Sequence, residues 1–419
     1  MQRVLLFVFV WFALYASALA QSLALPVEKP TQPAIKFVLT PSPVAAKPPE
    51  TVSAEKPPAR HIALLLPVKS VTFGAAADAV RQGILAAASI EKQALPIRVY
   101  DNFDEDKNVV AIYQQAIAEG AGAVIGPLTR NGTLTLSALK DFPVPTLSLN
   151  VIDNTLADNL YFFGLAIEME ARQIAHTMKQ KGVKQAIIVT TRAPLSKRLQ
   201  AAFEDTWSSG GGKILREMEY NDDPAIFSDM ADTPDTAVFL ATDADKARLI
   251  RPYLMVRPEA PVSIVSSEPV TDATTVLAPK QPAAKKLPIY ATSRVFVGND
   301  NSLANFDLSD LVFVDMPWLL QTDHLAVMTY PRVVAPLSID NERLYALGID
   351  AFRLTQLLLN NTVAPALPLD GVSGQIQLRG HTFQRTATQA VFSQGRAQLS
   401  DAPIIRNADF PYAPSTPHE

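Results

Sequence analysis

The side chains able to do chemistry in this sequence are few, and their spacing supports no reaction. Five histidines, His61, His176, His324, His381 and His418, lie far apart. None belongs to the His-Glu-x-x-His pair that puts two imidazoles and a general base on one helix face. There is no Gly-x-Ser-x-Gly elbow and no Gly-rich phosphate loop. The sequence has no cysteine, which removes disulfides, thiol nucleophiles and thiolate metal sites. Two acidic runs have simpler readings. Asp104-Glu105-Asp106 sits at a helix start, where carboxylates complement the helix dipole, and Asp222-Asp223 precedes Pro224 in a turn. Neither has the spacing of a metal site. The expectation is a protein with no catalytic residues, no metal and no cofactor.

Binding remains. The stretch Ala121–Gly132 reads as a buried strand that stops at Gly126-Pro127 and restarts as a helix. In an open α/β sheet the carboxyl ends of parallel strands, and the helix N-termini after them, meet ligands. Thr129, Arg130 and Asn131 stand at that helix start, where free backbone N–H groups could hold a carboxylate or phosphate; ordinary helix capping is the competing reading. The same pattern recurs at His61–Leu66 before Pro67 and at Pro145–Asn150, so three strand ends outline one cleft. Ser70, Thr72 and Phe73 after the first strand, Asn150, the turn Thr292-Ser293-Arg294, and Asp315 to Trp318 are further cleft-edge candidates. Trp318 suits an aromatic docking anchor, against the plainer reading of core packing.

The elements that must position these residues follow from composition and periodicity. With 419 residues, 48% of them hydrophobic, the chain can build two cores. A net charge of −4 gives no electrostatic footprint for nucleic acid or an anionic membrane. Residues 1–20 carry Arg3, an apolar run from Val4 to Tyr15 and a small-x-small end at Ala18-Leu19-Ala20, which reads as a signal peptide; an uncleaved inner-membrane anchor is the alternative. Residues 21–60 hold nine prolines and four lysines without periodicity, and read as a linker. Such a linker could reach on the order of 120 Å at about 3.1 Å per residue.

From residue 61, short apolar strands alternate with amphipathic helices about every 25 residues, which implies right-handed crossovers and parallel sheets covered on both faces. The expected division is a first lobe over 61–165, a second over 166–293, a return mainly to the first over 294–362, a hairpin of the second over 363–400, and a tail over 401–419. A Pro-, Ala-, Thr- and Lys-rich stretch from Pro269 to Pro288 reads as a surface excursion. Gly83, inside an otherwise regular helix over Ala75–Lys92, points to close packing.

In order along the chain stand Leu64-Leu65-Leu66-Pro67, Val124-Ile125-Gly126-Pro127-Leu128, Leu147-Ser148-Leu149-Asn150, Ile289-Tyr290-Ala291-Thr292-Ser293-Arg294, Glu342 to Phe352, and Leu369-Asp370-Gly371-Val372-Ser373-Gly374. Over about 61–400 this series resembles the C-terminal domain of the LppC-type lipoproteins, activators of penicillin-binding proteins. More broadly it is similar to the type I periplasmic-binding-protein fold, an α/β class in which two doubly wound parallel-sheet lobes are joined by three crossings. The resemblance implies a non-enzymatic periplasmic protein that docks on a bifunctional penicillin-binding protein and stimulates peptidoglycan synthesis. A periplasmic receptor for an amino acid or other small polar ligand held in the cleft is the alternative. Two departures stand out: the lipidated cysteine of such lipoproteins has no counterpart here, and 40 proline-rich residues cannot hold their helical-repeat domain.

The leader reading is directly testable. N-terminal sequencing of the protein recovered from its host is expected to begin at or near Gln21; full-length chain in the membrane fraction would make residues 4–20 an anchor.

Overall fold

The alternation of apolar strands and amphipathic helices is realised in two rounds. The structure, a computed structural model, describes residues 59–101, 104–152, 157–228, 235–255, 287–333 and 335–400. The chain divides into two compact units, Met1–Glu55 and Lys56–Glu419, and every described residue lies in the second. The expected signal peptide, most of the linker, the tail and nearly all of the excursion from Pro269 to Pro288 lie outside the described residues.

The first round runs β1 (His61–Leu66), α1 (Gly74–Ile90), β2 (Ile97–Asp101), α2 (Glu105–Ala118), β3 (Ala121–Ile125), α3 (Arg130–Ser137), β4 (Thr146–Ser148) and β5 (Leu160–Phe163). The second runs α4 (Ile167–Gln180), β6 (Gln185–Thr190), α5 (Pro194–Ser209), β7 (Lys213–Glu219), β8 (Thr236–Leu240), α6 (Ala244–Met255), β9 (Ile289–Ala291), α7 (Ser302–Phe306) and β10 (Leu311–Asp315). The chain ends with α8 (Pro317–Leu320), α9 (Leu325–Met328), α10 (Ile339–Leu359) and α11 (Val363–Ala366), then β11 (Leu369–Asp370), β12 (Gln375–Arg379), β13 (Thr382–Thr386), β14 (Thr388–Ser393) and β15 (Arg396–Leu399). Helix starts follow their capping residues: Asp104, Thr129 and Ser338 accept backbone N–H groups of Asp106, Gly132 and Asn341 at the heads of α2, α3 and α10.

Two sheets result. The first has the order β11-β12-β13-β5-β4-β3-β1-β2 and the second β15-β14-β10-β9-β8-β6-β7. Pairing is parallel from β2 to β13 in the first sheet and from β7 to β10 in the second; antiparallel strands complete the other edge of each. The central strands are buried on both faces: every residue of β1, β3 and β8 is buried, which is why they read as largely apolar runs rather than alternating ones.

The chain passes between the sheets three times, after β5, at Met316 between β10 and α8, and at Ala387 between β13 and β14. Two expected boundaries differ. The segment 294–362 does not return at its start, because β10 pairs with β9 and β14 in the second sheet. The segment 363–400 is two hairpins: β12–β13 extends the first sheet and β14–β15 the second. Sequence periodicity sees strands and turns but not which sheet a strand joins, and a single residue, Ala387, separates the two hairpins.

Helices α1 and α10 share one face of the first sheet and touch through backbone. A Cβ on Gly83 would stand 2.0 Å from the Tyr345 carbonyl oxygen, and a Cβ on Gly348 would stand 2.2 Å from that of Val80. These reciprocal glycines let the helices close over Val80, Ile84, Tyr345 and Ile349, all buried. Gly348→Ala gains helix propensity but must push the helices apart, and overpacking of this kind costs about 1–3 kcal/mol. Urea unfolding should show the loss; a variant as stable as the parent would mean that the pair separates freely.

Candidate functional site

The cleft edge of the first lobe is built where β1, β2 and β3 end. Loops after these strands enclose a cavity of about 210 Å³ lined by Pro67, Ser70, Phe73, Asp104, Glu105, Asp106 and Thr129. Of the expected residues the structure thus brings Ser70, Phe73 and Thr129 together. Ser70 accepts the Phe73 backbone N–H, and Phe73 keeps 46% of its surface exposed. Thr72 is exposed beside them. Arg130 and Asn131 are exposed at the head of α3, where Arg130 donates to the Val151 carbonyl (3.0 Å) and Asn131 to Asp106 (3.1 Å). Asn150 ties its loop to the Leu128 carbonyl at 3.2 Å.

Of the backbone N–H groups at the expected anion site, that of Thr129 is engaged, with Leu128 N–H just before it, by an acceptor that belongs to the chain. Glu105, only 3% exposed, accepts Leu128 N–H at 3.0 Å and Thr129 N–H at 2.7 Å. Its carboxylate lies where a ligand carboxylate would have to sit to use the same two donors. Burial pushes the Glu105 carboxyl above its ordinary pKa, against the pull of the two N–H groups and the Thr129 side chain. Its neighbours behave as expected: Asp104 caps α2, and Asp106 takes Asn131. Glu105 itself lies four residues before Val109 and eight before Tyr113, in phase with the buried face of α2. That phase is the signal which separates it from half-buried Asp104 and exposed Asp106 on either side.

The remaining expected site residues are not at a cleft surface. Asp315 is inaccessible, and its carboxylate accepts Met316 N–H at 2.8 Å and two nitrogens of Arg343 at 3.2 and 2.6 Å. Thr292 and Ser293 are buried, and Ser293 N–H donates to Glu170 at 2.9 Å while its carbonyl takes Arg343 at 3.0 Å. Arg294 is half-buried and pairs with Asp340 at 3.2 Å. Trp318 is a core residue and no docking anchor. It has no accessible surface, its ring N–H donates to Glu342 at 2.6 Å, and the Arg332 guanidinium covers it at 3.7 Å from the ring centroid.

These residues belong instead to the junction of the three crossings. Glu170 on α4 pairs with Arg385 on β13 at 2.5 Å, and Asp315 at the end of β10 pairs with Arg343 on α10; all four are at most 9% exposed. Gln173, one turn after Glu170, accepts Ala387 N–H at 2.9 Å and donates to its carbonyl at 2.8 Å, clamping the third crossing at its single linking residue. Burial works against the Arg343 charge, but Asp315, Glu170 and Asp340 outweigh it and hold the guanidinium more firmly protonated than usual. Burial likewise pushes the Asp315 carboxyl up, against Arg343. Glu170, Gln173, Arg343 and Arg385 escaped sequence reasoning, although Glu170 and Arg343 sit in phase with apolar helix faces. Among the described residues no group of acidic and imidazole side chains has the arrangement of a metal site.

Glu105 makes a prediction with a definite sign. Its folded pKa is raised, so the stability it contributes is fully present below the ordinary carboxylate pKa and is lost as pH rises through the raised value. Glu105→Gln abolishes that titration, so the stability of the parent relative to the variant should fall between pH 4 and pH 7 in urea unfolding. A difference that is flat or grows with pH would contradict the buried assignment.

The comparisons with known proteins fit this geometry. The family model described as "LppC putative lipoprotein" matches residues 27–395. The penicillin-binding protein activator LpoA of Pantoea ananatis is 26% identical over 326 residues, covering 71% of this chain and 47% of that protein. LpoA of Aliivibrio fischeri is 25% identical over 353 residues, covering 80% and 57%. The chain therefore spans about half the length of the curated relatives it matches. Among solved structures, one from Chromobacterium violaceum described as a "putative branched-chain amino acid ABC transporter" is 35% identical with a TM-score of 0.63, covering 80% of this chain and 99% of that one. The LpoA (YraM) C-domain of Haemophilus influenzae, described as a regulator of PBP1A, is 22% identical with a TM-score of 0.62, covering 82% of this chain and all of that one; at this identity it shows the fold alone. The two lobes and three crossings are those of the type I periplasmic-binding-protein fold, and with a family match that runs over most of its length, this chain belongs to the LppC family.

Proposed function

We propose that this chain is a non-enzymatic periplasmic activator that docks on a bifunctional penicillin-binding protein and raises its rate of peptidoglycan synthesis. The observation that carries the reading is the similarity across both lobes to proteins named as penicillin-binding protein activators, over 71% and 80% of this chain. The cleft supports it. A receptor of this fold needs vacant donors for a ligand head group and lobes that open and close around it. Here Glu105 occupies the donors of the β3–α3 loop, Asp104 and Asp106 line the same cavity with further negative charge, and the crossings are pinned by buried ion pairs. Binding then uses the outer surface, and a transient interface of this kind requires roughly 1,000 Å². The leader read from the sequence as a signal peptide supports the periplasmic address, and no helix among the described residues is long and apolar enough to cross a membrane.

One observation favours the second reading, a receptor for an amino acid: the 35% identity to the Chromobacterium violaceum structure. The two readings separate in one pair of measurements. Purified chain mixed with the host's bifunctional synthase is expected to bind it and to raise polymerisation or cross-linking severalfold, with no turnover by the chain alone. Absence of binding to every synthase of the host, together with micromolar affinity for an amino acid by calorimetry, would replace the activator with the receptor.

A further inference from the structure

A second cavity lies at the opposite end of the first sheet from the cleft, where β4 and β5 begin and α10 ends. It encloses about 590 Å³, within the roughly 300–1,000 Å³ span of small-molecule sites. One part of its wall is apolar: Leu358 at the end of α10, Leu367 after α11, Leu378 on β12, and the ring of Tyr161 on β5. That ring stacks on His381 at 5.4 Å with an interplanar angle of 19° and lies 6.0 Å from the Phe383 ring, contacts that orient it. The other part is polar and neutral. Gln377 on β12 and Asn361 just past α10 present side-chain amides, and Tyr161 presents its hydroxyl; none of the three side chains makes a hydrogen bond among the described residues. Asn361 is set at this rim by a left-handed backbone conformation (φ 56°), which asparagine tolerates better than most residues.

Among the described residues no charged side chain lines the cavity. An ionised ligand would lose hydration there without gaining a counter-charge, which is costly. A purely apolar ligand would leave two amides and a hydroxyl without partners. The ligand that matches both parts of the wall is neutral, carries several hydroxyl or amide groups, and has one apolar face to lie against an aromatic ring. We infer that this cavity is a binding site for a neutral carbohydrate, with the sugar's apolar face on Tyr161 and its hydroxyls on Gln377 and Asn361. The site is independent of the cleft and of the activator reading, since it uses other strand ends and no residue of the hinge.

The test uses the full chain and three neutral trisaccharides, maltotriose, cellotriose and chitotriose, with trigalacturonic acid as the charged comparison. Titration followed by NMR is expected to give a dissociation constant of about 1 mM or tighter for at least one neutral trisaccharide. Trigalacturonic acid should bind at least tenfold more weakly. Gln377→Leu and Tyr161→Phe each remove hydrogen-bonding groups that have no partner in the protein, so both variants should fold with unchanged thermal midpoints and weaken the neutral sugar about tenfold. Binding of none of the three neutral sugars would overturn the assignment. So would equal binding of the acidic trisaccharide, or sugar binding that survives both substitutions in the folded variants.

Discussion

The two lobes depend on four charges buried where the chain passes between them. Glu170, Arg385, Asp315 and Arg343 form two ion pairs that together carry no net charge. Removing ions from water costs several kcal/mol each, and the pairs repay this only when every remaining polar position is satisfied. Here the satisfaction is nearly complete: Glu170 also takes Ser293 N–H, Asp315 takes Met316 N–H, Arg343 donates to the carbonyls of Ser293 and Phe296, and Arg385 to that of Ser373. The partners come from α4, from the turn after β9, from the end of β10, from α10 and from β13. A rearrangement of the crossings that pulled any one of them away would leave a buried charge unpaired, which is worth about 3–5 kcal/mol. The network therefore specifies how the crossings run more than it adds to stability.

A second self-contained contact closes the cleft edge. In a sheet of this kind the loop after β3 ends in a helix, and its first N–H groups have no partner within the helix. The chain meets part of that requirement itself: Thr129 accepts Gly132 N–H, and Glu105, carried inward by the phase of α2, accepts the N–H of the cap residue Thr129 and of Leu128 before it. The same residue explains why Thr129 and Ser70 approach one another without making a head-group site: the polar space between them is already occupied by a carboxylate and flanked by two more.

Much of this was legible in the sequence, and the parts that were not share one cause. Many strand and helix positions through β10 follow from unbroken apolar runs such as Leu64-Leu65-Leu66 and from helical spacing such as that of Ile174 and Met178, whereas β5 and α7 were not read. The close approach at Gly83 was visible as a glycine inside a regular helix; its partner Gly348 was not singled out. Thr129 was readable as a cap, and it caps Gly132 N–H. The residues misplaced were polar ones. Thr292 and Ser293 follow β9 and Asp315 ends β10, as cleft residues do, but both strand ends lie buried beside the crossings, so these polar groups face the hinge. Trp318 takes the plainer of its two sequence readings, core packing, since Pro317 starts α8 beneath α10 and turns the indole into the core. Whether a strand end opens on solvent or on a crossing is a property of the topology, which local pattern does not carry.

Both contacts bear on what the fold is used for. A two-lobed scaffold binds solutes when its lobes can move and its strand-end donors are vacant; neither feature belongs to the scaffold as such, and function resides in the site rather than the fold. In this chain the donors of one loop are engaged by a side chain whose removal would leave buried N–H groups unsatisfied, and the hinge is engaged by charges whose separation is costly. The hinge pairs favour a single relative arrangement of the lobes, while the Glu105 contact fixes one loop within the first lobe. A body held in one arrangement presents a fixed outer surface, and a fixed surface loses less conformational entropy on docking to a large partner than one that must first be ordered. An occupied cleft loop and a pinned hinge thus fit the activator reading proposed above, in which the two-lobed body is recognised by the shape of its outer surface.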